Sequence, residues 1–462
     1  MIGFLTAGTA SGVGKTTVSL AILAGLRNRG LRIQPFKGGP DFLDTGHLAR
    51  IAGRTARNID TWMLSAEANL SVVREAARDA DAILVEGMMG LFDGKSGDSE
   101  AGSSAEIAKL LKLPVILVLD AGKSARSLAA VVLGFEMFDP GLPIAGVILN
   151  RVASERHFEL LEGAIRSACT APILGWLPRE DSITIPERHL GLRTAEESGS
   201  ADKLQSAIDA FAKLAETHLD LDAISGLTCG LKFEKTECER SFSDSTVRFG
   251  VARDEAFSFY YEDNLDLLRE AGAVVVPFSP LKEAALPEGL DALYLGGGYP
   301  ELYAEQLSAN RSMLDSVRAF AAAGKPIYAE CGGMIFLANR LTSAEGAVHE
   351  MAGVLPLETI VTGKLVQFGY VTVELTSDCL IGPAGLSVRG HSFHYSRLSD
   401  QPNIFTNYRV QYSLSGKEEA EGFSAGNVLA SYIHLHFRAA PSIAQHLVEA
   451  ARRAQAARLV SA

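Results

Sequence analysis

The ten residues GTASGVGKTT, positions 8–17, constrain this chain more than any other stretch. The apolar run IGFLTA precedes them. TTVSLAILAGLRNRG follows, with Val18, Ile22, Leu23 and Leu26 at helical spacing and Gly30 as a stop. A glycine loop between a strand and a helix turns backbone N–H groups inward, and the helix start favours an anion. Ser11, Gly12, Val13, Gly14, Lys15, Thr16 and Thr17 are therefore the expected phosphate-binding residues. Lys15 suits the β- and γ-phosphates of ATP, and the Thr16 hydroxyl suits Mg2+. Thr9 stands where the commoner loop has glycine, so the spacing runs from Gly8 as G-x5-GK.

Further strands follow at LRIQPF, AILVEG, PVILVLDA and IAGVILNRV. Continuous apolar runs alternating with helical patterns imply a parallel sheet covered on both faces. In a doubly wound sheet, ligands bind beyond the carboxyl ends of the strands. Lys37, Asp41 and Asp44 in FKGGPDFLD fall at one such end, and Glu86 in VEGMMGLFDG at another. Asp41 and Glu86 are the candidate Mg2+ carboxylates beside Thr16. Lys37, Asp44 and the RNID residues Arg57, Asn58 and Asp60 are candidate substrate contacts.

Residues 1–200 thus read as a P-loop α/β domain. Residues 201–246 are charged and short of apolar periodicity around CGLKFEKTECERSFSDSTV, and read as a linker. A second α/β series over 247–462 begins at VRFGVARDEAF and passes through AVVVPFSP, ALYLGGGYP and PIYAECGG. There Cys331 lies on a strand-to-helix elbow followed by two glycines. Such a turn exposes a nucleophile, and a helix start favours the thiolate. The N–H of Gly332, with that of Gly297 in YLGGGYPE, is expected to form an oxyanion hole. A nucleophilic thiol needs a base. SYIHLHF offers His434 and His436, two apart on one strand face, and spacing alone does not separate them.

With 462 residues the chain is too long for one ordinary domain. Its 43 basic and 55 acidic residues give a net charge of −12, which argues against a nucleic-acid partner. Cys169, Cys229, Cys238, Cys331 and Cys379 are scattered, without a CxxC pair, so neither a disulfide framework nor a zinc site is expected. The start MIGFLTAG carries no basic leader region, and no apolar run approaches the length of a spanning helix. The expectation is a cytoplasmic protein without membrane contact.

The stretches ASGVGKTT, PFKGGPDFLD, RNIDTWM, VEGMMGLFDG, ILNRV, ERHLGL, ARDEAFSFYYEDNLDLL, LYLGGGYPEL, YAECGGM, RGHSFHYS and SYIHLHF together resemble the cobyrinic (or hydrogenobyrinic) acid a,c-diamide synthase family. The resemblance spans nearly the whole chain. It implies a dethiobiotin synthetase-like ATP domain followed by a flavodoxin-like, class I-type glutamine amidotransferase domain of the cobyric acid synthase branch. That branch has a Cys–His pair without the usual third Glu, and its base maps to His434. His391, His394 and His436 receive no role. Asn150 resembles a position that contacts the ATP base. Gly38 stands where Val is expected, and Ser392 where Glu is usual.

The implied reaction explains why one chain carries both motifs. Glutamine cleavage supplies ammonia, and ATP with Mg2+ activates a corrinoid carboxylate as an acyl phosphate. The expected partners are the corrinoid, L-glutamine and ATP, and a homodimer is left open. Alternatives are the same chemistry on nickel-sirohydrochlorin, a cobyric acid synthase, or a regulatory P-loop ATPase with an inactive amidotransferase-like domain.

Overall fold

The computed structural model describes residues 1–179, 187–188, 191–192, 201–231, 246–399 and 403–461. The chain forms two compact units, Met1–Thr236 and Glu237–Ala462.

The first unit is built on seven parallel strands: β1 (Ile2–Gly8), β2 (Ile33–Gly38), β3 (Arg57–Ile59), β4 (Ala82–Gly90), β5 (Val115–Asp120), β6 (Ile144–Val152) and β7 (Ile173–Pro178). Their order is β3-β2-β4-β1-β5-β6-β7. The period-2 pleat sorts their apolar side chains to two faces. Phe4, Leu84, Ile116 and Val118 pack on one face, with Val18, Ile22 and Leu26 of helix α1 (Lys15–Asn28) and Ile51 of α2 (Leu43–Ala52). Leu5, Val85, Val115 and Leu117 pack on the other. There they meet Val72 of α3 (Ala66–Ala76), Ile107 of α4 (Ser104–Leu111), Val132 of α5 (Ser127–Phe138) and Leu161 of α6 (Glu155–Arg166). Because β1 lies between β4 and β5, the loop after it opens at the centre of the sheet, where the strand order reverses.

The structure differs from the expected linker over 201–231. α7 (Ala201–His218) and α8 (Leu221–Ser225) are helices. Ile208, Phe211, Ala212 and Ala215 of α7 are buried in the same cluster as α1. Gly3 donates to the Leu227 carbonyl at 3.1 Å and Cys229 to that of Met1 at 3.1 Å, so this segment is tied to the edge of the first unit. The apolar stripe of α7 packs against α1 although a charged run follows it in sequence. Residues 232–245 and Cys238 lie outside the described residues, as do His189 and Leu190 of ERHLGL. The remainder of ERHLGL forms a two-residue antiparallel pair, β8 (Glu187–Arg188) and β9 (Gly191–Leu192).

In the second unit, β10 (Val247–Ala252), β11 (Ala273–Phe278), β12 (Ala292–Leu295), β13 (Ile327–Glu330) and β22 (Val428–Ser431) pair in parallel. The sheet continues antiparallel through β21 (Glu418–Ala425), β20 (Phe405–Tyr412), β17 (Gln367–Leu375), β18 (Ser387–His394) and β23 (Ile433–Leu435). A small sheet holds β14 (Arg340–Thr342), β15 (Val348–Glu350), β16 (Glu358–Val361) and β19 (Ser396–Leu398). Helices α9 (Glu262–Glu270), α10 (Ala304–Ala309), α11 (Arg311–Ala322), α12 (Gly332–Leu337) and α13 (Ser442–Ser461) complete the unit. Only Tyr432 separates β22 from β23 in sequence, yet β23 pairs with β18 at the far end of the strand order. The six strands from β22 to β23 therefore curve round on themselves. That curvature sets His391 of β18 directly opposite His434 of β23.

No described helix is long and apolar enough to cross a membrane.

Candidate functional site

The glycine loop in the first unit has the shape its sequence demands. Gly12 and Gly14 adopt φ of 76° and 93°, which an L side chain resists. Gly14 also has no room, because a Cβ there would stand 1.9 Å from Asn150 Nδ2. That same nitrogen donates to the Val13 carbonyl at 2.9 Å, so β6 braces the loop. Lys15 opens α1 and donates to the Met89 carbonyl at 2.5 Å, in the last residues of β4. Burial, and then the positive charge of Lys37, lower its pKa.

Behind the loop lies a buried charge cluster. Lys37 Nζ is 2.5 Å from Asp44 Oδ2 and 2.7 Å from Glu86 Oε1. Thr16 Oγ1 donates to the same Glu86 oxygen at 2.9 Å. Burial works against the ammonium, but the two carboxylates outweigh it and hold the Lys37 pKa above its usual value. One cation cannot fully compensate two anions. Burial, with the charge on Asp44, leaves Glu86 high at about 7 despite Lys37. Burial and Asp44 likewise push Asp41 up to about 6. Asp44 is held below the usual carboxylate range by Lys37, against its burial.

Glu86 Oε2 and Asp44 Oδ1 are buried and have no hydrogen-bond partner among the described residues. Two orphaned carboxylate oxygens beside a threonine hydroxyl and a phosphate loop fit Mg2+, which takes one or two carboxylates and completes its shell with phosphates and water. No described cluster of three or more acidic, His or Cys side chains could hold a metal ion by itself. Asp41 fits less well, since its Oδ1 accepts from the Asp44 N–H at 2.9 Å.

Three expected substrate contacts are engaged within the protein. Lys37 is buried in its ion pairs and presents no free ammonium. Asn58 spends both amide hydrogens on the carbonyls of Gly39 and Asp41, at 2.9 and 2.8 Å. Asp60 accepts from the N–H groups of Trp62 and Met63, at 2.8 and 2.7 Å. These side chains build the floor and walls of the site. Arg57, half-buried at the start of β3, keeps its place as a candidate.

In the second unit, Cys331 sits between β13 and α12 with φ of 47° and ψ of −101°. A positive φ on a non-glycine residue is a strained turn held by its surroundings. Here the Cys331 N–H donates to the Ser431 carbonyl at 2.7 Å, anchoring the elbow to β22. The Gly332 N–H points at the sulfur. The expectation of a lowered thiol pKa is corrected. Burial and then the nearby Glu301 carboxylate raise it, and α12 is only six residues long. A thiolate at Cys331 therefore needs a base that takes its proton directly.

His434 is the candidate base, while the Cys331 thiol itself donates to the Phe393 carbonyl at 3.8 Å. A Cβ on Gly297 would stand 2.4 Å from His434 Cε1 and 3.3 Å from Nε2, so the ring lies against the glycine loop through its Nε2 side. Its Nδ1 side faces Glu330, with Oε2 at 3.9 Å. His391 stacks on the ring at 4.8 Å between centroids. Burial, and then His394, push its pKa down to about 3, which keeps the resting imidazole neutral. His436, two residues on, faces elsewhere. Its ring lies tilted against Tyr261 at 4.5 Å between centroids, and its Nδ1 accepts from the Arg438 N–H at 3.3 Å. His394 Nδ1 lies 2.6 Å from the Ser396 carbonyl, and the ring stacks on Tyr432 at 3.9 Å.

The oxyanion expectation is corrected at Gly297, whose N–H donates to the Phe259 carbonyl at 3.2 Å. Gly298 is the loop glycine that faces the elbow. Its nitrogen lies 3.0 Å from where a Cβ on Gly332 would stand, and a Cβ of its own would meet the Ala256 carbonyl at 2.1 Å.

Glu301 carries no expectation from the sequence, where Glu330 stands only as the neighbour of Cys331. Glu301 is half-buried, its buried Oε2 lacks a hydrogen-bond partner, and burial pushes its pKa up to about 7. Glu330 is fully buried beside the nucleophile. The runs GGGYPE and AECGG did signal both, since a carboxylate next to a buried elbow is costly unless used.

Residues 4–192 match the family model of the CobQ/CobB/MinD/ParA nucleotide binding domain, and residues 248–442 match that of the CobB/CobQ-like glutamine amidotransferase domain. A cobyrinate a,c-diamide synthase of Salmonella typhimurium is 44% identical over 97% of this chain and 98% of its own. That of Listeria monocytogenes serotype 4b is 42% identical over 97% and 99%, and that of Syntrophotalea carbinolica 43% over 96% and 98%. A nucleotide-binding unit and a glutamine amidotransferase unit, matched end to end at this identity, place the chain in the cobyrinate a,c-diamide synthase family.

Proposed function

We propose that this chain uses glutamine and ATP to amidate the a and c carboxylates of cobyrinic or hydrogenobyrinic acid, in cobalamin biosynthesis. The observation that carries this reading is the near full-length likeness to cobyrinate a,c-diamide synthases. The two constellations described above support it.

In the glutaminase half, the Cys331 proton passes to His434 Nε2 as sulfur attacks the glutamine amide carbon. The developing oxyanion is met by the N–H groups of Gly332 and Gly298. His434 returns the proton to the leaving nitrogen, the C–N bond breaks, and ammonia departs. Water then hydrolyses the thioester. The orphaned Glu301 oxygen suits the α-ammonium of glutamine.

In the synthetase half, residues 11–17 wrap the triphosphate, Lys15 draws charge from the β- and γ-oxygens, and Asn150 Oδ1 is available toward the base. Mg2+ held by Thr16 and Glu86 would neutralise charge as the γ-phosphoryl moves to a substrate carboxylate. Lys37 fixes the Glu86 carboxylate for that purpose. Ammonia displaces phosphate from the acyl phosphate and leaves the amide.

The decisive variant is Cys331→Ala. ADP release with cobyrinic acid should vanish with glutamine and persist with ammonium salts. Loss with both nitrogen donors would refute separate glutaminase and synthetase sites. Full retention with glutamine would remove Cys331 as the nucleophile.

A further inference from the structure

The amidotransferase branch that this chain resembles lacks the usual carboxylate behind its catalytic histidine. The structure offers one from an unexpected place. Glu330 ends β13, immediately before the nucleophile, while its side chain turns to the opposite side of the sheet from the apolar side chain of Ala329. Oε1 accepts from the Tyr328 hydroxyl at 2.8 Å and from the Leu435 N–H at 3.0 Å. Oε2 accepts from the Tyr294 hydroxyl at 2.9 Å. Three donors from three strands fix the carboxylate rigidly. Oε2 then stands 3.9 Å from His434 Nδ1, on the side of the ring away from the glycine loop.

We propose that Glu330 is the positioning carboxylate for His434, completing a Cys331–His434–Glu330 relay in which nucleophile and carboxylate are consecutive residues. This rests on the assignment of Cys331 and His434 above. Other described groups around His434 are placed differently. His391 on β18 stacks on its face rather than its edge, and its own Nδ1 lies 3.1 Å from the Tyr261 hydroxyl. His394 on the same strand bonds Ser396. Glu421 on β21 is consumed by the Ser431 hydroxyl and the N–H groups of Gly422 and Tyr432.

Glu330 acts when His434 takes the thiol proton. The imidazolium then carries an N–H at Nδ1 aimed at Oε2, and a small rotation closes 3.9 Å to hydrogen-bond distance. Without the carboxylate, a histidine buried this deeply resists the charge. The Leu435 N–H contact adds register. The same carboxylate grips the backbone one residue after His434, so ring and carboxylate move together.

The test is Glu330→Gln, an isosteric change, in the full chain. Steady-state glutaminase activity should lose kcat by roughly 10–100-fold, with the glutamine KM within about threefold and the ammonium-dependent rate unchanged. Activity is normalised to folded protein, measured by circular dichroism and thermal unfolding of the variant. Unchanged kcat overturns the proposal, and so does a fall in kcat matched by an equal loss of folded protein or by an equal rise in KM. If Cys331→Ala still uses glutamine, the underlying assignment fails instead, so the two failures are distinguishable.

Discussion

Lys37→Met tests the charge cluster that sets up the nucleotide site. The substitution keeps the length of the side chain and removes only the ammonium, which lies 2.5 Å from Asp44 and 2.7 Å from Glu86. Breaking a buried ion pair by removing one partner costs about 3–5 kcal/mol. Here a single cation serves two carboxylates, so the upper end applies, about 5 kcal/mol at pH 8. With a urea slope of about 3 kcal/mol per molar for a unit this large, the midpoint should fall by about 1.5 M. The two tryptophans, Trp62 and Trp176, both lie in the first unit, so intrinsic fluorescence reports on it alone. The pH dependence has a definite sign. Without Lys37, the folded-state pKa values of Asp44 and Glu86 rise, so the folded protein binds protons that the unfolded chain has already released. The deficit therefore grows as pH rises above the unfolded carboxylate range near 4. One carboxyl titrating across one and a half pH units changes stability by about 2 kcal/mol, so the deficit should shrink by at least that much between pH 8 and pH 5. A midpoint unchanged at pH 8, or an identical deficit at both pH values, would refute the account of Lys37 as the buried counter-ion.

Two glycine substitutions probe the two sites separately. Gly14→Ala puts a methyl group 1.9 Å from Asn150 Nδ2 at a φ of 93°, so ATP-dependent amidation should collapse with either nitrogen donor, while glutaminase activity survives; retained ADP formation would contradict the loop geometry. Gly297→Ala drives a methyl group into the His434 ring, 2.4 Å from Cε1. Glutamine-dependent turnover should drop by more than about tenfold, with the ammonium-dependent rate intact, and equal losses with both donors would count against it.

The local chemistry was legible in the sequence wherever neighbouring residues generate it. The P-loop is a contiguous strand, glycine turn and helix, so Gly14, Lys15 and Thr16 announced themselves. The Cys331 elbow did so for the same reason, as a short run in which a strand must reverse into a helix. Alternating apolar strands also specified a sheet with two covered faces. What the tertiary structure decided depends on pairings far apart in the chain. Whether Lys37 meets a substrate or a buried counter-ion depends on β2 lying beside β4. Which amide of GGGYP is free depends on Phe259 bridging Gly297. The fate of α7 depends on its packing against α1, which outweighs a charged composition just beyond it. The choice between His434 and His436 belongs to both levels. Spacing along one strand left them equal, and the resemblance favoured His434. The curvature that carries β23 round to β18 then sets the His434 Nδ1 side toward Glu330 and tilts His436 against Tyr261, because a strand fixes the face a side chain takes but not what meets it there.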